Sequence, residues 1–206
     1  MFTRIINKKV LLFAITLSIT NITLAQINKP VTDFIAVPGP IIFDSESYIL
    51  KWTSHPDVNF YKQEYLVKGE LAGKYKTMVL IDVITGQQEL KDVIAAKIAE
   101  LKKIKESNPI VNYEIIHNPK TNEYILDFLL TANASDGSIS IIERNVYRYK
   151  SFTYKVNKNA VMLFGVSNRA YGAAAADQLL VSLKKTRKDL INKVSQFKMP
   201  DIKISN

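Results

Sequence analysis

Residues 77–84, Thr-Met-Val-Leu-Ile-Asp-Val-Ile, are almost unbrokenly apolar and are bounded by turn formers, which predicts a central strand covered on both faces. Shorter runs read as further strands: 41–43 and 48–52 around the polar turn 44–47, then the aromatic-rich 60–67. Between them His55-Pro56-Asp57 predicts a break, because proline lacks an amide donor and restricts the residue before it. Residues 68–73 read as a loop. Farther along, 111–117, 123–131, 139–155 and 160–166 are strand-like, with turns at 118–122, 133–137 and 157–159. Connections this short favour an antiparallel meander.

Two segments set their apolar residues three and four apart. Leu90, Val93, Ile94, Ile98, Leu101 and Ile104 form one stripe, and Lys91, Lys97, Lys102, Lys103 and Lys105 fall largely off it. Thr85 with Gln88 predicts a capping box at the start of this helix, and Asn108-Pro109 predicts its end. Leu179, Leu180, Leu183, Leu190, Ile191, Val194 and Phe197 form a second stripe, headed by the alanines at 173–176 and stopped at Met199-Pro200. Strands, a helix, four strands and a helix predict an α+β fold in which an antiparallel sheet of about six to seven strands packs against two amphipathic helices. The 206 residues, 47% hydrophobic and 23% charged, fit one domain at 41–198. An irregular lead-in at 26–40, with Pro30, Pro38, Gly39 and Pro40, precedes it, and a loose tail at 199–206 follows. No internal repeat is legible.

The first 25 residues change the compartment rather than the fold. Arg4, Lys8 and Lys9 precede the apolar run 10–19, Asn21 interrupts it, and Thr23-Leu24-Ala25 puts small residues where a signal peptidase cuts. The expectation is a cleavable secretory signal of bacterial style, cut before Gln26, and a mature chain that is periplasmic or secreted. The run is too short for a membrane-spanning helix, which needs about 20 apolar residues, and no later segment approaches that length. Three of the 28 basic residues lie in the leader, which leaves 25 basic against 19 acidic, a net of +6. That charge favours anionic surfaces without naming one. With no cysteine, disulfides, thiolate metal sites and cysteine nucleophiles are excluded.

Asn145-Val-Tyr-Arg-Tyr149, the 157–159 turn, the strand 160–166 and the long last helix ending near Phe197 resemble, in their order, the PsbP-like α+β sandwich. The chain also resembles the small exported bacterial proteins of unknown function. The first resemblance implies a binding or assembly-support role rather than catalysis, with no residue roles to carry over.

No P-loop, G-x-G-x-x-G or G-x-S-x-G is present, so no catalytic residue, metal ligand or cofactor is assigned. The sole histidines are His55 and His117, too few for a metal site of the usual kind. Glu64 and Glu70 near Tyr61 and Tyr65, and Glu143 beside Arg144, are acids that read first as surface or ion-pair residues. The feature that stands out is aromatic and basic: Trp52, Tyr61, Tyr65, Arg144, Tyr147, Arg148, Arg169 and Tyr171 are residue types that suit a recognition surface. The expected function is an exported binding or accessory domain for an envelope protein or a small ligand. The alternative is an exported hydrolase built on carboxylates and His55. The export signal and the modest charge argue against nucleic acid as partner.

Overall fold

The computed structural model describes residues 31–156 and 158–204, so the leader expected at 1–25 lies outside the described residues. Two antiparallel meanders follow one another. The first is β1 (Ile41–Phe43), β2 (Glu46–Asp57), β3 (Phe60–Val67) and β4 (Thr77–Ile84), closed by helix α1 (Leu90–Ser107). The second is β5 (Asn112–Asn118), β6 (Glu123–Asn133), β7 (Ile139–Lys155) and β8 (Lys158–Tyr171), closed by helix α2 (Ala173–Gln196). They join along β4 and β8 into one sheet in the order β1-β2-β3-β4-β8-β7-β6-β5, antiparallel throughout.

The expected α+β sandwich of six to seven strands is therefore overturned: the described residues form eight strands in a mostly antiparallel, curled half-barrel, with two helices. The physical reason lies in the central strands, which are apolar on both faces and need cover on both. One core gathers Val79, Ile81, Val83, Val146, Met162, Phe164 and Val166 with Leu190 and Val194 of α2. The other gathers Met78, Leu80, Leu126, Phe128, Tyr147 and Leu163 with Leu90, Ile94 and Leu101 of α1. Alternate residues of each strand feed the two cores, as a period of two requires, so the helices sit on opposite faces.

Three boundaries also differ from the sequence reading. β2 runs through Pro56 because β1 pairs only with 46–48, which leaves the far half of β2 an open edge where a missing N–H harms no ladder. Thr85 does not cap α1; its hydroxyl donates to Asn59 Oδ1 at 3.0 Å, and the helix begins five residues later behind Glu89. The tail is docked, since Met199, Ile202 and Ile204 pack on the α2-side core and the Lys203 N–H donates to the Ile35 carbonyl at 3.1 Å. Among the described residues no helix is long and apolar enough to cross a membrane, a statement about helices alone.

Candidate functional site

Four of the sequence-nominated residues hold the α2 side of the sheet together. Tyr65 is fully buried on β3, donates its phenol hydrogen to the Val37 carbonyl at 2.6 Å, and lies beside Gln63, whose side-chain amide bonds Val37 O and the Phe34 N–H. These bonds pin the lead-in, and burial pushes the Tyr65 phenol up. Tyr61 is also buried and stacks on His55 at 4.1 Å between ring centroids. Arg144 reaches from β7 to Asp127 of β6 at 3.0 Å and to the Arg187 carbonyl of α2 at 2.8 Å. Arg148, two helix-directed positions farther along β7, pairs with Glu123 at 2.7 Å and donates to the carbonyls of Val194 at 3.3 Å and Phe197 at 2.9 Å. Those are orphan carbonyls at the end of α2, where a cation also suits the helix dipole. Both arginines fasten the helix to the sheet.

The other four lie on the α1 side. Tyr147 is buried, and its ring lies across β8 because residue 165 is glycine: a Cβ there would come within 2.7 Å of the ring and 2.9 Å of Leu80. Burial, then the nearby Glu143, pushes the Tyr147 phenol well up. Arg169 pairs with Glu143 at 2.6 Å and stacks its guanidinium on Tyr75, 4.2 Å from the ring centroid. Tyr75 donates to Glu143 at 2.6 Å, while the Tyr171 phenol accepts the Tyr75 N–H and donates to the Tyr75 carbonyl. This self-satisfied knot closes the 68–76 segment over the end of the sheet. Of the eight nominated residues, Trp52 alone is both exposed, at 38%, and free of such a structural bond among those described.

Trp52 owes its position to a bulge. Leu50 pairs with Tyr65 and Trp52 with Glu64, so Lys51 is an extra residue on β2. Without it Trp52 would share the Leu50 face; with it the indole turns to the α1 side. There it joins two rows of side chains running across β2, β3 and β4: Trp52, Glu64 and Leu80, then Ser54, Lys62 and Asp82. Helix α1 packs mainly over β5 and β7, and at this end of the face its Lys97 lies near Asp82.

The rows carry charge that the fold does not satisfy. Asp82 Oδ1 is buried and has no hydrogen-bond partner. The Lys62 ammonium lies 5.9 Å from the ring centroids of both Trp52 and Phe60, and closes no ion pair with either acid among the described residues. Lys97 of α1, 8% exposed, reaches Glu100 at 3.3 Å and lies over Phe128 at 5.1 Å. Desolvation dominates the titration of this group. It raises the Glu64 carboxyl to about 7, with Lys62 opposing and Asp82 adding to the rise. It raises Asp82 against the pull of Lys62 and Lys97, and lowers Lys97 against the pull of Glu100. Two carboxyls and the Lys97 ammonium with displaced affinities for protons, beside Lys62 and an exposed tryptophan, form the strongest candidate site.

Two clefts lie elsewhere. One of about 520 Å³, between α1 and β5, is lined by Lys102, Lys105, Glu106, Asn112 and Tyr113. The lining is almost all exposed side chains with no buried polar group, a gap between a helix and an edge strand. The second, about 350 Å³, lies beside the lead-in between Pro38 and Phe197. His55 stacks on Tyr61, so it stands on the α2 face, across the sheet from Glu64 and Asp82. His117 stacks on Tyr124 at 4.2 Å. No group of three or more His, Asp or Glu with metal-ligand spacing occurs among the described residues.

Sequence reading named Trp52 and missed the company it keeps. Two signals pointed to it: Asp82 is the one charge inside the apolar run 77–84, and Lys97 lies on the α1 stripe, three residues after Ile94 and four before Leu101.

A family model matches residues 35–199, most of the sheet and both helices. No curated protein and no solved structure matches the chain, and the resemblance to the PsbP-like sandwich is not confirmed.

Proposed function

We propose, for a chain that belongs to this uncharacterised family, an exported binding domain whose ligand sits on the open α1-side face of β2, β3 and β4. The observation that carries the reading is the buried Asp82 Oδ1, without a hydrogen-bond partner among the described residues, beside a lysine that closes no ion pair among them, both next to an exposed indole. A buried polar atom left without a partner costs roughly 1–3 kcal/mol. Arg144 and Arg148 satisfy their charge with several bonds each, whereas Asp82 Oδ1 shares its lack of a partner with Glu70 Oε2, Asn145 Nδ2 and Asn168 Oδ1 among the described residues. A buried group left unsatisfied beneath an exposed indole is a feature that a bound ligand or water can complete.

The leader supports the compartment half of the reading. Its basic start, short apolar run and Thr-Leu-Ala end fit secretion into the periplasm or beyond. Cell fractionation with N-terminal sequencing of the mature protein tests it; the first residue is expected to be Gln26, and a cytoplasmic chain that keeps Met1 contradicts it.

The binding half is tested by capture. Immobilised mature protein is exposed to a small-molecule extract of the cell envelope, and the eluate is read by mass spectrometry beside a Trp52→Ala, Asp82→Asn variant. Compounds held by the native protein and released by the variant are expected. Equal retention by both proteins moves the site elsewhere, and retention of nothing by either overturns the reading.

A further inference from the structure

We infer that the outer edge of β5 takes an acidic segment of a partner protein as an added strand, at a site separate from the face proposed above. β5 ends the eight-stranded sheet, and among the described residues no strand pairs with its outer side. Such an edge offers a row of unpaired N–H and C=O groups to any extended chain, and folded proteins blunt it with bulges, proline or lysine. The other end of this sheet is blunted in that way. β1 covers only the start of β2, and the rest of β2 carries two register breaks, Lys51 and Pro56. β5 has none of these devices. Asn112-Tyr-Glu-Ile-Ile-His-Asn118 holds no proline, glycine or lysine, and its seven pairs with β6 run in unbroken register. Its one acid, Glu114, is tied to Arg187 of α2.

The side chains along this edge decide what the added strand must carry. Tyr113 packs into the α1-side core and His117 stacks on Tyr124 of that core, so Ile115 between them faces the same way. Ile115 is 41% exposed, an apolar position open to a cross-strand neighbour. The cleft of about 520 Å³ between α1 and β5 gives the side chains of an added strand space on that face. Its charged lining is Lys102, Lys105 and Glu106, all exposed, which is two ammoniums over one carboxylate. Lys105 reaches Asn112 Oδ1 at 3.1 Å, which sets the excess at the Asn112 end of the strand. On the other face Glu114 and Asp127 answer Arg187 and Arg144, so that face adds no net charge. An acidic residue opposite Tyr113 and an apolar one opposite Ile115 therefore complement the edge, and main-chain pairing supplies the rest. A second copy of this chain fits worse. Antiparallel pairing of β5 with itself brings each Asn112 end to the other copy's Asn118 end, where the turn carries Lys120, so lysines meet lysine between two chains of formal charge +9.

The test uses the mature protein and a capped, fluorescein-labelled peptide of seven residues, the length of β5. Its sequence, Thr-Val-Thr-Val-Thr-Glu-Thr, sets the glutamate opposite Tyr113 and a valine opposite Ile115 in antiparallel pairing. Two controls go beside it: one with lysine for the glutamate, and one N-methylated at two adjacent central residues, which blocks both edges and keeps the charge. Fluorescence anisotropy is expected to show saturable binding of the acidic peptide, weaker by about tenfold or more for either control, and hydrogen exchange of amides 112–118 is expected to slow in the complex. In a Lys102→Glu, Lys105→Glu variant the preference is expected to turn to the lysine peptide; both side chains are exposed, so the fold is kept. No binding of the acidic peptide, equal binding of the N-methylated one, or unchanged exchange at 112–118 overturns the inference. A glutamate preference that the variant keeps overturns the role of the cleft lysines, and with it the choice of an acidic partner. A free protein that sediments as a dimer with its β5 amides already slowed makes the occupant a second copy, which also overturns it.

Discussion

Glu64 sits at a point where burial and charge disagree. Desolvation lifts its carboxyl from the ordinary 4.5 to about 7, although Lys62 and Arg169 both act to lower it. The folded chain then holds a proton that the unfolded chain has lost between those two values. Stability from this group is therefore fully present below pH 4.5 and is lost as pH rises through about 7. The difference corresponds to roughly 3 kcal/mol. Urea unfolding at pH 4.5 and 7.5 should show the native protein losing stability relative to Glu64→Gln across that interval; parallel pH profiles for the two proteins sink the claim. Gly165 makes a second prediction at this scale. Its Cα lies beneath the Tyr147 ring, so Gly165→Ala forces the ring and Leu80 to move, at about 1–3 kcal/mol as for other overpacked cores. An unchanged unfolding midpoint contradicts the packing described.

The arginines show why the elements were easier to read than their roles. Arginine beside tyrosine at 144–149 is the composition of an interface, and an interface it is, but between the sheet and α2. What the sequence could not reveal is the distance to the partners: Asp127 and Glu123 stand 17 and 25 residues away, and only the β6–β7 register brings them across. Alternation along β7 was legible, with Tyr147 and Tyr149 on one face and Arg148 on the other, yet it left open which face was buried. Both are, because each has its own helix. In the same way the spacing of the α2 stripe does not say how deeply each residue sits: the buried positions of the helix are Ala176, Leu190 and Val194, and Val181, off the stripe, is 68% exposed. The C-terminal half of α2 is the docked half, and Arg148 is its fastening. Arg148→Met leaves Glu123 with only the distant Lys150 ammonium and frees two helix-end carbonyls, a loss of about 3 kcal/mol. Hydrogen exchange of residues 190–196 should accelerate ahead of the rest of α2; uniform exchange along the helix speaks against the fastening.

On the scale of the whole molecule, two meanders of four strands, each closed by a helix, make one curled sheet. The positions of the strands follow from apolar runs and turn residues, and the structure keeps nearly all of them. The sum of strands, the curl and the cover on both faces do not follow from local pattern. They depend on the pairing of β4 with β8, whose partners lie 77 to 91 residues apart, from Ile84 with Val161 to Thr77 with Asn168. The same pairing decides what is left open. It puts β2 and β3 toward the end of the sheet away from the β5 and β7 strands that α1 packs on, and so leaves Lys62 and Glu64 at the margin of the α1-side core, with Asp82 beside Lys97 of α1. Gln63, Tyr65, Arg144 and Arg148 hold the fold; the open rows add charge that opposes it. Equilibrium urea unfolding at pH 7.5 of a Lys62→Met, Glu64→Gln, Asp82→Asn triple variant puts this division to the test. A folded protein with a midpoint equal to or above the native one is the predicted result, because a site held for a ligand weakens the empty fold. A lower midpoint would show that the three residues stabilise the sheet, and would contradict the assignment of this face to binding.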